Sequence, residues 1–180
     1  MNPNIDISNV VLKTERLILR PWKLSDLDDF FEYASVDGVG PMAGWSPHKN
    51  KDESLVILNS FINKKKTFAL EYNGKVIGSI GIETYKEDEL PEFENKKGRE
   101  IGCVLSKEYW GRGLMPEAVK EVIKYCFEKL HLDFLVYSYF VWNNQSKRVC
   151  EKCGFKYLKT GKRETQRGTI EENIINILYK

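Results

Sequence analysis

The sequence has no long apolar run and no strong excess of charge of one sign. No stretch approaches the roughly 20 consecutive apolar residues of a membrane-spanning helix, and the opening residues MNPNIDISNV lack the basic and apolar regions of a secretory signal peptide. The 28 Lys and Arg residues against 26 Asp and Glu residues give a formal net charge of +2. This charge is too small to indicate nucleic-acid binding. We therefore expect a cytoplasmic protein that binds neither membranes nor, directly, nucleic acid.

Cysteine and histidine are also scarce. Four cysteines without a secretory signal indicate reduced thiols rather than a disulfide framework. Cys150 and Cys153 have the CxxC spacing of zinc and redox sites, but the sequence has no second such pair and only two histidines. We expect no metal, and we expect these two thiols to be buried on one face of a helix.

The spacing of apolar residues and turn signals predicts one mixed α/β domain over residues 1–180, with about seven strands and about four helices. The predicted strands are 12–22, 67–72, 75–85, 99–106, 134–141, 155–163 and 169–179. The predicted helices are 25–34, 51–63, about 116–130, and 144–153, with Ser25 as the cap of the first and Gly154 at the end of the last.

Three stretches carry most of this assignment. Asn73-Gly74 is a strong hairpin signal between two strand-like runs. Residues 35–50 contain three glycines and two prolines, which indicates a loop. The nearly continuous apolar run at 134–141 predicts a central strand that is covered on both faces.

The stretch EYWGRGLMPEAV, residues 108–119, leads through two glycines into the start of a helix. The first N–H groups of a helix have no partner within it and lie at the positive end of its dipole. Gly111 and Gly113 allow the backbone to approach a ligand closely, and Arg112 adds a positive charge. Because Pro116 has no N–H, the free donors lie from about Gly111 to Met115. Such a helix start is suited to binding a phosphate.

This loop matches neither common nucleotide-binding motif. The pattern Gly-x4-Gly-Lys-Ser/Thr is absent, and a dinucleotide fingerprint needs a glycine at 116, where proline stands. From the loop alone, a helix start that follows a tight turn and binds no ligand is an equally good interpretation.

Two longer stretches together resemble the GNAT acetyltransferases, specifically the RimJ/RimL-type N-acetyltransferases. They are REIGCVLSKEYWGRGLMPEAVKEVIKYCFE at 99–128 and VWNNQSKRVCEKCGFK at 141–156. The similarity covers roughly residues 12–180, and the order of the predicted elements is similar to that fold. The resemblance implies a mostly antiparallel sheet whose fourth and fifth strands splay apart.

The resemblance also implies that the loop binds the pyrophosphate of acetyl-CoA through backbone amides. The family pattern Arg/Gln-x-x-Gly-x-Gly/Ala falls on residues 110–115, with Trp110 and Met115 replacing the usual first and last residues. The family binds the pantetheine arm along the fourth strand and at the Asn of an Asn-x-x-Ser motif. The residues implied to bind acetyl-CoA are therefore Cys103, Val104, Leu105, Gly111, Arg112, Gly113, Leu114, Met115, Asn143 and Ser146.

The same motif implies one catalytic residue. Its serine, Ser146, lies near the thioester sulfur in the family. Many members carry a tyrosine, their general acid, seven residues after the asparagine, but this chain has Cys150 there. We expect Ser146 to donate the proton instead, since a thiolate with a pKa of about 8.5 leaves without much help.

Glu100, at the start of the predicted fourth strand, is the implied base, acting through water. The competing interpretation is an ion pair with Arg99 or Lys97 at a strand end. Glu83 and Tyr85 are second choices for the base.

Trp45 and His48 lie in the variable region that shapes the acceptor pocket in this family. They are either pocket residues, or a packed aromatic side chain and a solvated loop histidine.

Several functions remain open at this point. The resemblance implies an acetyl-CoA-dependent N-acetyltransferase whose acceptor is a protein N-terminal α-amine, with a ribosomal protein as one candidate. A small amine, such as an aminoglycoside, a polyamine or an amino acid, is the alternative acceptor. A non-catalytic acyl-CoA-binding module is a third interpretation. The protein is expected to be a monomer or a homodimer.

Overall fold

Eight strands of the computed structural model, which describes residues 1–180, form one mixed sheet. The strands are β1 (Leu12–Lys13), β2 (Ile18–Pro21), β3 (Thr67–Tyr72), β4 (Lys75–Glu83), β5 (Gly98–Leu105), β6 (Phe134–Phe140), β7 (Lys156–Glu164) and β8 (Ile170–Tyr179). The helices are α1 (Leu27–Ala34), α2 (Gly40–Ala43), α3 (Lys51–Lys64), α4 (Leu114–Glu128) and α5 (Asn144–Lys152). The predicted mixed α/β class is confirmed.

The sheet order is β1-β2-β3-β4-β5-β6-β8-β7. Every neighbouring pair is antiparallel except β5 and β6, which are parallel. The apolar run at 134–141 therefore lies in the interior of the sheet, as its composition predicts. The Asn73-Gly74 turn joins β3 to β4 with φ angles of 50° and 80°, the left-handed conformation that these two residues favour.

The prediction of a single strand over residues 12–22 is wrong, because this segment forms the two strands β1 and β2. The chain turns back within it, because the Thr14 N–H donates to the Leu17 carbonyl (3.0 Å). The result is the short antiparallel pair β1–β2, with Leu12 opposite Leu19. Leu17 and Leu19 are nevertheless fully buried, as their alternation predicts.

Two further predictions differ from the structure near the first helix. Ser25 lies inside a short 3-10 turn and caps nothing; the Asp26 carboxylate accepts the Lys23 N–H instead (2.8 Å). The predicted loop at 35–50 contains the four-residue helix α2, which begins at a glycine followed by proline and ends at Gly44.

The parallel pair β5–β6 is short, and a gap opens in the sheet where this pairing ends. Only Gly98, Arg99 and Glu100 of β5 lie opposite β6, at Phe134, Leu135 and Val136. From Ile101 onward β5 is paired with β4 alone. The two strands therefore splay apart after Glu100, at the place where the resemblance implies a splay.

The helices cover the sheet unequally. The largest core cluster lies between the sheet and the helices α4 and α5, and includes Met115, Val119 and Tyr137. A second cluster around Trp22 and Phe30 packs α1 and α3 on the sheet. A third contains Leu90 and Phe93 of the segment 86–97 over Phe134 and Val136 of β6.

Candidate functional site

A cavity of about 230 Å³ lies in the splay, bounded by β5, the loop before α4, and α5. Nine of the ten residues implied to bind acetyl-CoA line it: Cys103, Val104, Leu105, Gly111, Gly113, Leu114, Met115, Asn143 and Ser146. Residues that are far apart in the chain thus meet at one wall because β5, α4 and α5 converge where β5 and β6 separate.

The loop before α4 presents unpaired backbone donors. Gly111 and Gly113 have φ angles of 76° and 75°, a conformation that costs glycine nothing. A Cβ added at Gly111 would have no atom within 4 Å. Glycine is therefore required at this position by the backbone conformation and not by close packing. None of the N–H groups from Gly111 to Met115 donates to an acceptor in the chain. Five donors at a helix start make an anion site.

Met115 is compatible with this arrangement. Its side chain is buried in the core cluster beneath the sheet, while its N–H stays free of intrachain acceptors. The family pattern has a small residue there; in this chain the larger side chain is accommodated by the core.

Arg112 was expected to bring its positive charge to the cavity, and the structure places that charge elsewhere. Its side chain does not line the cavity, and its guanidinium lies 5.0 Å from the centre of the Tyr109 ring. Two other cations, Arg148 and Lys152 on α5, line the cavity instead. Sequence reasoning missed them, although their i, i+4 spacing places them on one face of a helix.

Two contacts hold the loop in place. The Trp110 indole N–H donates to the Leu105 carbonyl (2.8 Å), which ties the loop to the end of β5. The Arg16 guanidinium donates to the Arg112 carbonyl (3.0 Å) and to the Glu117 carboxylate (2.7 Å). The donors at 111–115 are therefore positioned from both sides.

Asn143 has a structural role at this site. Its side-chain oxygen accepts the Ser146 N–H (3.0 Å) and so caps α5. Its side-chain NH2 group donates to the Met42 carbonyl (3.0 Å). Asn143 thus fixes the start of α5, and with it Ser146, against α2.

A chain of three polar side chains crosses the floor of the cavity. The Tyr137 hydroxyl lies 3.1 Å from the Cys103 sulfur and 3.0 Å from the Ser146 hydroxyl. Burial raises the pKa of Tyr137 well above its ordinary value and the pKa of Cys103 to about 11. Both groups are therefore protonated at neutral pH. Tyr137 was not predicted, because from the sequence it is one more aromatic residue of an apolar strand.

A second cavity, of about 110 Å³, adjoins the first. Both cavities are lined by Met42, Ala43, Cys103, Tyr137 and Ser146. The far side of the smaller cavity is polar and includes Glu100, Arg163 and Asn173. The hydroxyl–thiol chain therefore stands at the junction of the two spaces.

Glu100 lines the smaller cavity and is in an ion pair. Its two carboxylate oxygens lie 2.9 and 3.1 Å from one guanidinium nitrogen of Arg163. The partner is thus neither Arg99 nor Lys97: the Arg99 side chain donates to the Pro3 carbonyl, and Lys97 offers its backbone N–H to Asp133.

The second-choice bases, Glu83 and Tyr85, line neither of these two cavities. Glu83 pairs with Lys66, and the Tyr85 hydroxyl accepts from the amino group of Met1 (2.7 Å).

Trp45 and His48 also line neither of these two cavities. Their rings pack against each other at 5.1 Å, and His48 also packs on Phe30. They belong to the packing of the α1 region.

Cys150 stands where many GNAT members have tyrosine. It is 1% exposed, and burial raises the pKa of its thiol to about 12. Cys153 is also buried and contacts the Pro116 carbonyl, so the CxxC pair packs α5 on α4. No three His, Cys, Asp or Glu side chains are grouped as metal ligands would be. None of the helices has the length and apolar character required to cross a membrane.

Comparisons with known proteins identify the family of this chain. Residues 16–156 match the family model of the acetyltransferase (GNAT) domain. The N-acetyltransferase YoaA of Bacillus subtilis, which is uncharacterized, is 29% identical over 153 residues, covering 81% of this chain and 82% of YoaA.

Two solved structures share the fold. One, from Vibrio cholerae and provisionally named a ribosomal-protein-serine acetyltransferase, has a TM-score of 0.80 at 18% identity, over 96% of this chain and 99% of its own. The other is the microcin C7 self-immunity acetyltransferase MccE in complex with acetyl-CoA and AMP, with a TM-score of 0.77 at 16% identity, over 92% of this chain and 93% of its own. With the family model matching most of its length, this chain belongs to the GNAT acetyltransferase family and is an acetyltransferase.

Proposed function

We propose that the protein transfers the acetyl group of acetyl-CoA to a protein N-terminal α-amine by direct attack in a ternary complex. The observation that carries this proposal is the junction of two cavities at Cys103, Tyr137 and Ser146. One cavity has the donors for a diphosphate and the other has polar groups for an amine. A cytoplasmic, single-domain protein, monomeric or homodimeric, remains the expectation from the sequence.

The larger cavity fits acetyl-CoA by its donor chemistry. The five free N–H groups from Gly111 to Met115 suit the oxygens of a pyrophosphate, and Arg148 and Lys152 add positive charge at the same wall.

Beyond Glu100, the edge of β5 that faces the splay is unpaired. The Ser106 N–H donates to the Ile77 carbonyl of β4 in the same ladder, and successive residues of a strand direct their backbone groups to opposite neighbours. The backbone groups of Cys103 and the N–H of Leu105 therefore face the splay, where they suit the amides of a pantetheine arm.

Acetyl-CoA supplies an activated acetyl group and a thiolate leaving group. Ser146 and Tyr137 carry hydroxyls at the junction and are hydrogen-bonded to each other, and burial raises the pKa of Tyr137 so that it stays protonated. We assign to Ser146 the donation of a proton to the departing sulfur, with Tyr137 orienting its hydroxyl. A thiol with an ordinary pKa of about 8.5 makes only a modest demand on this donor.

The amine must lose its proton before it attacks. At pH 7 this costs roughly 4.6 kcal/mol for a lysine side chain but only about 1.1 kcal/mol for an α-amine. Glu100, which lines the smaller cavity, is the proposed proton acceptor through a water molecule. Its ion pair with Arg163 holds the carboxylate at the wall of that cavity. The smaller cost of deprotonation makes an α-amine less demanding of this base than a lysine side chain.

The Vibrio cholerae protein of the same fold, provisionally named for a ribosomal-protein acceptor, supports a protein N-terminus as the acceptor class. So does the RimJ/RimL-type resemblance of the loop and of the Asn-x-x-Ser motif.

The proposal is tested with an acceptor panel and acetyl-CoA. The panel contains peptides with a free N-terminus, N-terminally blocked peptides with an internal lysine, an aminoglycoside and a polyamine, and mass spectrometry locates the added acetyl group. We expect modification of the free N-termini only. Acetylation of the aminoglycoside or the polyamine, but of no N-terminus, would replace the proposed acceptor by a small amine.

A further inference from the structure

Both cavities share a set of lining residues, and any group that lies between the cavities lies among them. These residues are Met42, Ala43, Cys103, Tyr137 and Ser146. In the proposed function, acetyl-CoA occupies the larger cavity and the amine occupies the smaller one. Since the attacking nitrogen must come within about 3–3.5 Å of the acyl carbon, the acyl group lies at this junction. The shared residues therefore surround the acyl chain, whichever amine attacks it.

The side of the junction formed by β5, β6 and α5 is polar and held in place. The Tyr137 hydroxyl lies 3.1 Å from the Cys103 sulfur and 3.0 Å from the Ser146 hydroxyl. Behind this chain, the Tyr137 ring packs on Phe155, with 5.3 Å between the ring centres. A polar network whose members are all bonded to one another is rigid. We therefore expect this side to keep its shape when the acyl chain becomes longer.

The opposite side is formed by α2, whose last turn is anchored to two other elements. The Met42 carbonyl accepts a hydrogen bond from the Asn143 side-chain NH2 group (3.0 Å). The carbonyl of Gly44, which follows α2, accepts the Gln166 N–H of the β7–β8 turn (2.9 Å). Because the backbone of α2 is fixed at these points, the space on this side depends on the side chains that α2 contributes.

Met42 has the only long, unbranched side chain among the shared residues. The Cys103, Tyr137 and Ser146 side chains are joined in the hydrogen-bonded chain, and Ala43 has only a methyl group. Met42 is half-buried, and a methionine side chain fills irregular gaps because it has three rotatable bonds. Carbon atoms added to the acetyl group cannot extend into the rigid side, so they extend toward α2.

We propose that Met42 sets the length of the acyl group that this enzyme transfers, because its side chain occupies the space that carbon atoms beyond acetyl would need. The inference rests on the proposed function for the place of transfer, but it does not depend on the class of the amine. Met42 is then a specificity residue for the acyl donor.

The experiment measures kcat/KM for acetyl-CoA, propionyl-CoA and butyryl-CoA with one and the same acceptor amine. The proteins are the wild type, which should prefer acetyl-CoA, and the variants Met42→Ala and Met42→Leu. Met42→Ala removes Cγ, Sδ and Cε. We expect it to raise the butyryl-to-acetyl ratio of kcat/KM at least tenfold, since one methylene in a pocket is worth roughly 10–200-fold. Met42→Leu conserves the volume and should keep the wild-type ratio.

Ala43→Val tests the opposite change. Ala43 is exposed, so a larger side chain there displaces no core residue but narrows the junction beside Met42. We expect the propionyl-to-acetyl ratio of kcat/KM to fall about tenfold.

Thermal unfolding with each acyl-CoA, without an acceptor, gives a readout that needs no turnover. At equal concentrations, butyryl-CoA should raise the Tm of Met42→Ala more than that of the wild type, whereas acetyl-CoA should raise both equally.

Three results overturn the role of Met42 while the proposed function stands. They are a wild type that uses butyryl-CoA as well as acetyl-CoA, an unchanged butyryl-to-acetyl ratio in Met42→Ala, and an equal rise of that ratio in Met42→Leu. If Met42→Ala does not fold, an Ala43→Val enzyme with the wild-type propionyl-to-acetyl ratio overturns it. Acylation of an aminoglycoside but of no N-terminus overturns the proposed acceptor only, because every ratio is taken with one acceptor. If no amine is acylated, the proposed function fails, and equal Tm shifts with butyryl-CoA in Met42→Ala and the wild type overturn the role of Met42 as well.

Discussion

At the scale of single residues, the chain lacks a tyrosine at the position where many GNAT members have their general acid. The usual tyrosine acid is replaced by Cys150, which is buried with a pKa of about 12 and lines neither cavity. A different tyrosine, Tyr137, reaches the junction from β6 and contacts Ser146 at 3.0 Å. In the proposed mechanism, this hydroxyl pair takes the place of the family's usual acid at the leaving thiolate.

This arrangement predicts the effect of Ser146→Ala. General acids typically contribute 10²–10⁴-fold, and we expect about tenfold lower kcat here, the small value reflecting a good leaving group. The KM for acetyl-CoA should hardly change, because the Asn143 cap uses the backbone N–H of residue 146. Steady-state kinetics measure both quantities. Ser35→Ala, at the half-buried residue that follows α1 and lines neither cavity, is the control. A Ser146→Ala enzyme with full kcat would remove the serine from the mechanism.

At the scale of elements, the loop and the first turn of α4 form a unit whose backbone depends on two glycines with positive φ. Gly111 and Gly113 have φ angles of 76° and 75°, and the N–H groups from Gly111 to Met115 have no acceptor in the chain. Neighbouring contacts, from Arg16 and Trp110, orient this unit but do not use its N–H groups. Conformation and binding can therefore be tested separately.

Gly111→Ala and Gly74→Ala form a matched pair for this purpose. Both glycines have positive φ, 76° and 80°, and an added Cβ would meet nothing within 4 Å at either position. Each substitution should cost roughly 1–2 kcal/mol of stability, because a side chain disfavours this conformation.

Acetyl-CoA distinguishes the two variants. At 100 times its Kd, a ligand adds about 2.7 kcal/mol to the free energy of unfolding, or roughly 5–10 °C in Tm for a domain of this size. We expect the wild type and Gly74→Ala to show this shift at the same acetyl-CoA concentration and Gly111→Ala to show a clearly smaller one. ATP and NAD should give no comparable shift. Equal Tm shifts with acetyl-CoA in all three proteins would mean that the loop does not contribute to acetyl-CoA binding.

At the scale of the whole molecule, hydrogen bonds connect the N-terminal strand pair to α4 and to the loop before it. The Glu117 carboxylate on α4 accepts from the Thr14 hydroxyl (2.6 Å) and from the Arg16 backbone and side chain (2.9 and 2.7 Å). These contacts join segments about one hundred residues apart in the chain. The turn between β1 and β2, which the sequence analysis assigned to a single strand, thus supports the start of α4.

This network predicts a pH-dependent effect of Glu117→Gln. Burial raises the pKa of Glu117, but the hydrogen bonds from Thr14 and Arg16 outweigh it, and the net pKa is lowered. The carboxylate therefore stabilises the fold above its unfolded pKa of about 4.3, and this contribution is lost as the pH falls through the lower folded pKa.

Denaturant unfolding of the wild type and Glu117→Gln measures this effect. At pH 7 we expect the variant to be less stable by about 1–2 kcal/mol, as for a hydrogen-bonded charge at a partly exposed site. The difference should shrink below about pH 4, where the wild-type side chain becomes protonated. Glu121→Gln, one turn further along α4, is the control. A stability difference that is constant with pH would mean that Glu117 acts through shape rather than charge.

The sequence by itself determined the features that depend on a few neighbouring residues. The glycines at 111 and 113, the missing N–H of Pro116, the hairpin at Asn73-Gly74 and the apolar period of α4 each act through local backbone geometry. For that reason the donors before α4 and the mixed α/β class were predictable from local patterns, whereas Cys103, Asn143 and Ser146 were placed beside that loop only by the resemblance to a family.

Only the tertiary structure decided which distant side chains meet. Arg163 is 63 residues from its partner Glu100, and Asn173 and Tyr137 reach the smaller cavity through the register of β6, β7 and β8. Register and splay depend on the packing of the whole sheet, and a shift of one residue would turn each of these side chains to the other face. The loop before α4 is therefore visible in the sequence, whereas the smaller cavity exists only in the fold.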